Sequence, residues 1–209
     1  MELTSDGLTD GEAFPEKFAM GVIDPEEHAT FGDNKNPDFQ WSDLPAGTES
    51  LVLICKDPDV PSKPDDVNQE GRTVPADLDR IDFYHWLLVD LDPDKGSIEV
   101  GEFSDGVTEK GKDGPDGPAG TRQGLNDYTS WFEGDPDMGG EYFGYDGPFP
   151  PWNDSIVHHY EFTLYALDTD EAPVEGEFHG ADLEEAIEPH VLDEASITGL
   201  YSLNPDVDY

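Results

Sequence analysis

The chain has 209 residues, which is enough for a substantial core without disulfides or zinc. Its 50 acidic and 10 basic residues give a formal net charge of −40, which argues against nucleic acids and anionic membranes as partners. A single cysteine, Cys55, excludes an intramolecular disulfide framework, and its apolar surroundings predict a buried, unreactive thiol.

The acidity indicates the solvent in which the protein works. An aromatic content of 11% argues against disorder, and after Arg122 the sequence has no Lys or Arg to pair with its carboxylates. At molar ionic strength the Debye length falls to about 3 Å, which screens the mutual repulsion of these carboxylates. We therefore expect a folded protein from a halophile. The absence of a leader pattern or a long apolar run predicts a cytoplasmic protein without a membrane span.

The first half of the chain predicts two buried strands separated by a polar segment. Residues 1–48 are mostly loop with extended pieces, and 50–56 form a buried strand. The sequence DPDVP at 57–61 predicts a rigid turn. The polar composition of residues 62–82 predicts a surface insertion. Residues 83–91 are apolar on both faces, which is typical of a strand covered on both sides.

The second half predicts loops, one alternating strand and one helix. Residues 92–127 are rich in Gly and Asp, and 144–152 hold three prolines that predict a stiff loop. Residues 158–167 alternate as a half-buried strand does. Apolar residues spaced by four predict a helix over 181–195, interrupted by a proline, and 196–203 predict a final strand. The fold class is therefore mainly β with a small C-terminal helical part.

Four polar side chains are candidates for a site. Asp57 and Asp59 lie in the turn that Pro61 closes, while His85 and His158 each stand near the start of a buried strand. Taken singly, the aspartates are more typical of an acidic surface turn than of a site, and the histidines are more typical of hydrogen-bonded core residues. The order of the motifs around them carries more information than any one of them.

The motifs D-P-D-V-P, F-x-H-W, G-P-x-P-P and H-H-Y occur in an order that resembles the phosphatidylethanolamine-binding protein family. The resemblance is strongest to its bacterial and archaeal branch, the Raf kinase inhibitor-like proteins. It runs from LTSDGL at 3–8 to HVLDEASITGLYS at 190–202. It implies one antiparallel β-sandwich domain over residues 1–209.

The resemblance also implies a small pocket at the end of the sandwich for anions and phospholipid head groups. Imidazole, tyrosine and backbone groups can donate to a phosphoryl oxygen there. Two aspartates beside an anion would repel it, unless the ligand is zwitterionic and its ammonium faces one of them. The alternative is that the two carboxyls titrate as a coupled pair, in which the pKa of one is raised so that it stays protonated. The ligand-binding residues carried over are Asp57, Asp59, Pro61, Phe83, His85, Gly147, Pro148, Pro150, Pro151, His158 and Tyr160.

Several positions depart from the family pattern. The H-x-Y motif often holds Arg where His159 stands here, and Asp90 replaces a frequent Asn. Because strand residues alternate, His159 is expected to face away from the pocket. The segments near 24–36, 62–82 and 129–141 are longer than in compact relatives. We expect acidic surface loops there, in preference to loops that reshape the pocket mouth.

The function predicted is a binding protein for a small anionic or zwitterionic phosphate-bearing ligand. No cofactor, resident metal or enzyme activity is expected, and regulation of a protein partner and homodimer formation are left open. One alternative is a metal-dependent hydrolase that uses the His and Asp side chains. Another is a protease or kinase inhibitor that acts through surface loops.

The charge makes a prediction about salt. We expect the thermal unfolding temperature to rise steeply as KCl increases from millimolar to molar concentration, because screening removes the repulsion among carboxylates. Thermal scans followed by circular dichroism measure this. An unfolding temperature that does not depend on KCl would contradict the halophile interpretation.

Overall fold

The computed structural model describes residues 1–208. Strands make up 36% of the chain and helices 12%, so the predicted mainly β class is confirmed. The strands are β1 (Glu2–Thr4), β2 (Glu12–Ala13), β3 (Gly21–Asp24), β4 (His28–Phe31), β5 (Phe39–Ser42), β6 (Ser50–Pro61), β7 (Arg80–Leu91), β8 (Ser97–Ile98), β9 (Arg122–Gln123), β10 (His158–Leu167) and β11 (Val191–Tyr201). The α-helices are α1 (Tyr128–Trp131) and α2 (Gly180–Ile187). Short 3₁₀ turns cover Glu16–Phe18, Pro93–Lys95, Pro118–Gly120 and Glu188–His190.

A six-stranded sheet dominates the fold. Its strand order is β2-β11-β10-β6-β7-β9, antiparallel throughout except for the short parallel pair of β11 and β2. A second sheet has the order β1-β5-β8, and β3 and β4 form a separate hairpin. The three longest central strands, β10, β6 and β7, therefore lie side by side.

The main core lies between the two sheets, as expected for a sandwich. Phe39 of the small sheet packs with its ring centroid 5.1 Å from that of Phe162 on β10. Leu53 of β6 and Trp86 of β7 belong to the same buried cluster. Burying such side chains contributes about 1.5–3 kcal/mol each, so this cluster is the main source of stability.

The opposite face of the large sheet is covered by α2. Val52, Leu87 and Val89 pack against Leu183 and Ile187 of this helix. The central strands are thus buried on both faces, which explains why the sequence of β7 is apolar in both alternating positions.

The turn predicted at 57–61 is wrong, because β6 continues to Pro61. Asp57 pairs with Phe83, and Pro61 pairs with Arg80. The register shifts between Asp57 and Val60, so the prolines fall in an irregular stretch of an otherwise paired strand. Such a bulge tolerates residues that cannot donate to the sheet and redirects neighbouring side chains.

The helix predicted over 181–195 is too long. It ends at Ile187, and after a 3₁₀ turn the chain pairs with β10 from Val191 onward. Pro189 cannot donate a helical hydrogen bond, and pairing with a central strand then outweighs the helical spacing of the apolar residues. In residues 1–208 no helix is long and apolar enough to cross a membrane.

The packing of α2 can be tested with one pair of variants. Leu183 is fully buried, so Leu183→Ala should lower the free energy of unfolding by about 2–5 kcal/mol. The matched control Glu185→Ala, on the exposed side of the same helix, should change it by less than about 0.5 kcal/mol. Urea unfolding in molar KCl measures both values, and equal effects would contradict the packing described.

Candidate functional site

A cavity of about 500 Å³ opens where β6 ends and where β7 and β10 begin. Four of the buried residues with polar side-chain atoms that line it come from the three central strands: Asp57, His85, His158 and Tyr160. We call these four residues the polar base. Apolar side chains line much of the rest, among them Phe31, Val67, Phe83, Trp131, Phe132 and Phe149.

Most of the residues predicted for the site line this cavity, and three do not. Antiparallel pairing brings the end of one strand beside the start of the next, so motifs distant in sequence meet here. The predicted residues that line the cavity are Asp57, Pro61, Phe83, His85, Pro150, Pro151, His158 and Tyr160. The predicted residues outside the lining are Asp59, Gly147 and Pro148.

His158 is held between two carboxylates. Its Nδ1 lies 2.7 Å from Oδ2 of Asp57, and its Nε2 lies 3.1 Å from Oδ2 of Asp154. Burial lowers the pKa of His158, but the charges and hydrogen bonds of Asp57 and Asp154 outweigh burial and raise the pKa to about 9. The ring is therefore protonated at neutral pH, and both of its N–H groups are already bonded within the protein.

Asp154 is paired in turn with Arg80. The guanidinium donates from Nη1 to Oδ2 at 2.6 Å and from Nη2 to Oδ1 at 3.0 Å, in a bidentate arrangement. Burial acts to raise the pKa of Asp154, but hydrogen bonds from His158 and Arg80 lower it. Asp57, His158, Asp154 and Arg80 thus form a chain of alternating charges with no net charge. We call these four residues the charge chain.

His85 has a different protonation state from His158. Its Nδ1 donates to the carbonyl oxygen of Asp146 at 2.8 Å. Burial lowers the pKa of His85, and the nearby Asp57 charge only partly opposes this. The ring is therefore neutral at pH 7, with Nε2 as an acceptor. Within residues 1–208, the one hydrogen bond of this ring is that of Nδ1, and no protein group hydrogen-bonds with Nε2.

A second buried network holds the loop that positions His85. The Asp146 carboxylate accepts from Nδ2 of Asn34 at 2.8 Å and from Nδ2 of Asn126 at 2.8 Å. The ammonium of Lys112 lies 2.9 Å from the same carboxylate. Because Asp146 is fully buried and fully paired, its carbonyl is a fixed partner for the His85 ring.

Asp59 does not face the cavity, so the expected pair of carboxylates around one ligand is wrong. Its Oδ2 accepts from the backbone N–H of His159 at 2.9 Å and lies 2.7 Å from the Nδ1 atom of that ring. The irregular pairing after Asp57 turns the two carboxylates toward different histidines. His159 is exposed and faces away from His158, as predicted.

Gly147 and Pro148 support the cavity from behind. A Cβ atom at Gly147 would lie 2.1 Å from the carbonyl oxygen of Phe18, so only glycine allows this close approach. The carbonyl oxygen of Pro148 accepts from the backbone N–H groups of Met20 at 3.0 Å and Gly21 at 2.9 Å. Their role in the structure is therefore to fix the proline-rich loop, of which Pro150 lines the cavity.

The expectation of acidic surface loops for the three long segments is incomplete. Each segment also places apolar residues at the cavity. Apolar residues within otherwise polar stretches of sequence were the signal that could have indicated this. The contributions are Phe31 from 24–36, Val67 and Ile81 from 62–82, and Trp131, Phe132 and Met138 from 129–141.

The sequence analysis missed two residues of the charge chain, Arg80 and Asp154. Arg80 is one of only three arginines in a strongly acidic chain and lies shortly before the strand predicted at 83–91, which was the available signal. Cys55 is buried, as predicted, and burial raises the pKa of its thiol. Across residues 1–208, no group of three or more His, Cys, Asp or Glu side chains is arranged to hold a metal ion.

Comparison with known proteins identifies the family. The family model described as phosphatidylethanolamine-binding protein matches residues 4–202. The chain belongs to this family. A UPF0098 protein of Methanothermobacter thermautotrophicus is 34% identical over 177 residues, covering 85% of this chain and 89% of the relative. The UPF0098 protein YbhB of Escherichia coli is 31% identical over 202 residues, covering 97% and 100%.

Solved structures of the phosphatidylethanolamine-binding protein family share the fold. The crystal structure of Escherichia coli YbcL, described as a member of the mammalian PEBP family, matches with a TM-score of 0.68 and 25% identity. It covers 96% of this chain and 97% of YbcL. The PEBP homologue CT736 of Chlamydia trachomatis matches with a TM-score of 0.63 and 25% identity, covering 96% of each chain. The PEBP-like sandwich predicted from the motifs is therefore confirmed.

The charge chain makes stability depend on pH. The pKa of His158 is about 9 in the fold and about 6.5 when unfolded. Its protonation therefore stabilises the fold fully below pH 6.5, and this contribution, about 3 kcal/mol, is lost as the pH rises through about 9. Asp154→Asn removes one of the two stabilising carboxylates and should reduce this loss. Urea unfolding between pH 6.5 and 9 tests this, and an equal pH dependence of both proteins would contradict it.

Proposed function

We propose that this protein is a binding protein whose pocket takes a zwitterionic, phosphate-bearing small molecule. The observation that carries the proposal is the chemistry of the polar base. It offers a carboxylate, Asp57, and a neutral imidazole acceptor, His85, while no Lys or Arg is among the residues that line the cavity. A ligand with an ammonium group supplies the missing donors.

A purely anionic ligand fits this base less well. The positive charge of His158 is shared between Asp57 and Asp154, and neither N–H group is free for a ligand. A bare anion would therefore approach the Asp57 carboxylate without a free cation to oppose the repulsion. An ammonium on the same ligand removes this penalty, and so the zwitterionic form of the prediction is favoured.

Neutral donors near the polar base suit the phosphate of such a ligand. The Ser62 hydroxyl and the Asn68 side chain both line the cavity. The Asn68 Oδ1 atom accepts from the backbone N–H of Trp152 at 3.0 Å, which leaves its amide N–H₂ as a donor. Phosphoethanolamine carries both required groups in one small molecule and is the probe of choice.

The proposal predicts a response at His85. Titration with phosphoethanolamine in molar KCl should shift the His85 ring resonances, because its free Nε2 is the acceptor nearest the ligand. The resonances of His190, which pairs with Asp168 outside the cavity, should not move. Two-dimensional NMR of the ring protons measures both.

Two variants with the same chemical change distinguish an aspartate that lines the cavity from one that does not. Asp57→Asn should weaken phosphoethanolamine binding by about tenfold or more, since it removes the buried charge that faces the ammonium. Asp59→Asn, two residues away and outside the lining, should leave the affinity within about threefold. Circular dichroism confirms that each variant is folded. No shift at His85 in the wild type, or equal weakening by both variants, would overturn the proposal.

A further inference from the structure

The hairpin of β3 and β4 stands apart from both sheets of the sandwich. It forms a two-stranded sheet of its own, in which Gly21 pairs with Phe31 and Asp24 pairs with His28. A two-stranded hairpin is marginally stable by itself in water, so its position depends on its contacts with the rest of the chain. These contacts differ between the two ends of the hairpin.

The open end of the hairpin is fixed to its surroundings by backbone hydrogen bonds. The N–H group of Gly21 donates to the carbonyl oxygen of Pro148 at 2.9 Å. The carbonyl oxygen of Gly21 accepts from the Tyr201 hydroxyl at 3.0 Å. Just after the second strand, the N–H group of Gly32 donates to the carbonyl oxygen of Met20 at 2.8 Å. This end is therefore a firm base for the hairpin.

The tip of the hairpin, residues 24–28, is held by one exposed group of side chains. The rings of His28 and Trp152 are stacked, with centroids 4.0 Å apart and planes 13° apart. The Nε2 atom of His28 lies 2.5 Å from Oε1 of Glu70. Across residues 1–208, no other hydrogen bond joins this tip to another segment. We call His28, Glu70 and Trp152 the latch.

The latch is weak compared with the base. The side chains of His28 and Glu70 are 44% and 82% exposed. Exposed ion pairs and single ring contacts each contribute little to stability, because water and salt compete for the same groups. The latch can therefore break and re-form while the rest of the fold stays intact.

The side of the latch that receives His28 is firmly held. The backbone N–H of Trp152 donates to Oδ1 of Asn68 at 3.0 Å, and the backbone N–H of Asn68 donates to Oδ1 of Asn153 at 2.9 Å. The buried Asn153 amide also donates to the carbonyl oxygens of Asp66 at 2.9 Å and Arg72 at 3.1 Å. These bonds fix the insertion to the loop before β10, so the hairpin is the side that moves when the latch breaks.

The hairpin borders the mouth of the cavity. Phe31 lines the cavity, and its ring meets that of Phe149 edge to face at a centroid distance of 5.9 Å. Phe31 is 48% exposed, and Ala29 offers only a methyl group to the main core. A tilt of the hairpin about its base would therefore expose little apolar surface, and it would change the width of the mouth.

We propose that this hairpin, residues 21–31, is a flap that controls access to the cavity, and that the latch holds it in the position observed. Opening separates His28 from Trp152 and Glu70 and tilts the flap about Gly21 and Gly32, while β3 stays paired with β4. Hinges of this kind lie at the ends of an element and leave its own hydrogen bonds unbroken. The inference goes beyond the proposed function, because it concerns the route into the cavity whatever molecule enters.

The contact between the tip and Trp152 can be followed with one dye. Bimane attached through Glu27→Cys should be quenched by Trp152 at close range, and the native Cys55 is buried and stays unlabelled. Trp152→Phe gives the unquenched intensity. In molar KCl, Glu70→Gln and His28→Ala should each raise the fluorescence by about twofold or more toward that intensity, because they weaken the latch.

A matched variant controls for the change in charge. Glu26→Gln removes one negative charge from the same exposed turn but leaves the latch intact, so it should not change the fluorescence. Circular dichroism verifies that each variant is folded. If the two latch variants stay as quenched as the wild type, or if Trp152→Phe releases no fluorescence, the latch is wrong.

Access to the cavity can be measured without a ligand. Met138 is buried and lines the cavity, so the thiol of Met138→Cys reports how often a reagent enters. Modification by the uncharged reagent N-ethylmaleimide should be about threefold or more faster when His28→Ala is added, because the flap is open for a larger fraction of the time. Adding Glu26→Gln should leave the rate unchanged. An equal rate with and without His28→Ala would overturn control of access by the flap.

These outcomes are independent of the proposed ligand. Failure of phosphoethanolamine to bind would overturn the proposed function and leave the flap standing. Fluorescence and modification rates that do not respond to His28→Ala would overturn the flap and leave the zwitterion pocket standing.

Discussion

A buried chain of alternating charges joins the pocket ends of the three central strands. Asp57 lies on β6, Arg80 on β7 and His158 on β10, with Asp154 between the last two. Removing one member of such a chain leaves an uncompensated buried charge, at a cost of about 3–5 kcal/mol. The shape of the cavity therefore depends on this chain, because each member also fixes the strand or loop that carries it.

The same chain decides which chemistry is left for a ligand. Because the charges of the chain are paired with one another, His158 and Arg80 are not free cations, although the family resemblance places His158 among the ligand-binding residues. The open groups are the Nε2 atom of His85 and part of the Asp57 carboxylate, with aromatic rings beside them. The acidic surface and the acceptors inside the cavity both favour the zwitterionic ligand that we propose.

Much of the fold was predictable from local patterns. The alternation over 158–167 defined β10 at its observed bounds, and the apolar faces of β7 correctly indicated cover on both sides. The C-terminal helix was overextended because Val191 continues the helical spacing of Leu183 and Ile187, while pairing with β10 determines its actual state. Local spacing does not report which long-range partner competes for a segment.

The sequence by itself determined the mainly β fold and the burial of Cys55, since these follow from periodicity and apolar surroundings, whereas the meeting of the two histidine motifs was implied only by the family resemblance. Only the tertiary structure decided how the polar groups are used. Asp57 and Asp59 lie on either side of Pro58, yet an irregular stretch of β6 turns Asp57 into the cavity and Asp59 outward. Charge pairing is a property of distances in space, so the partners Arg80 and Asp154 became visible only once the strands were side by side.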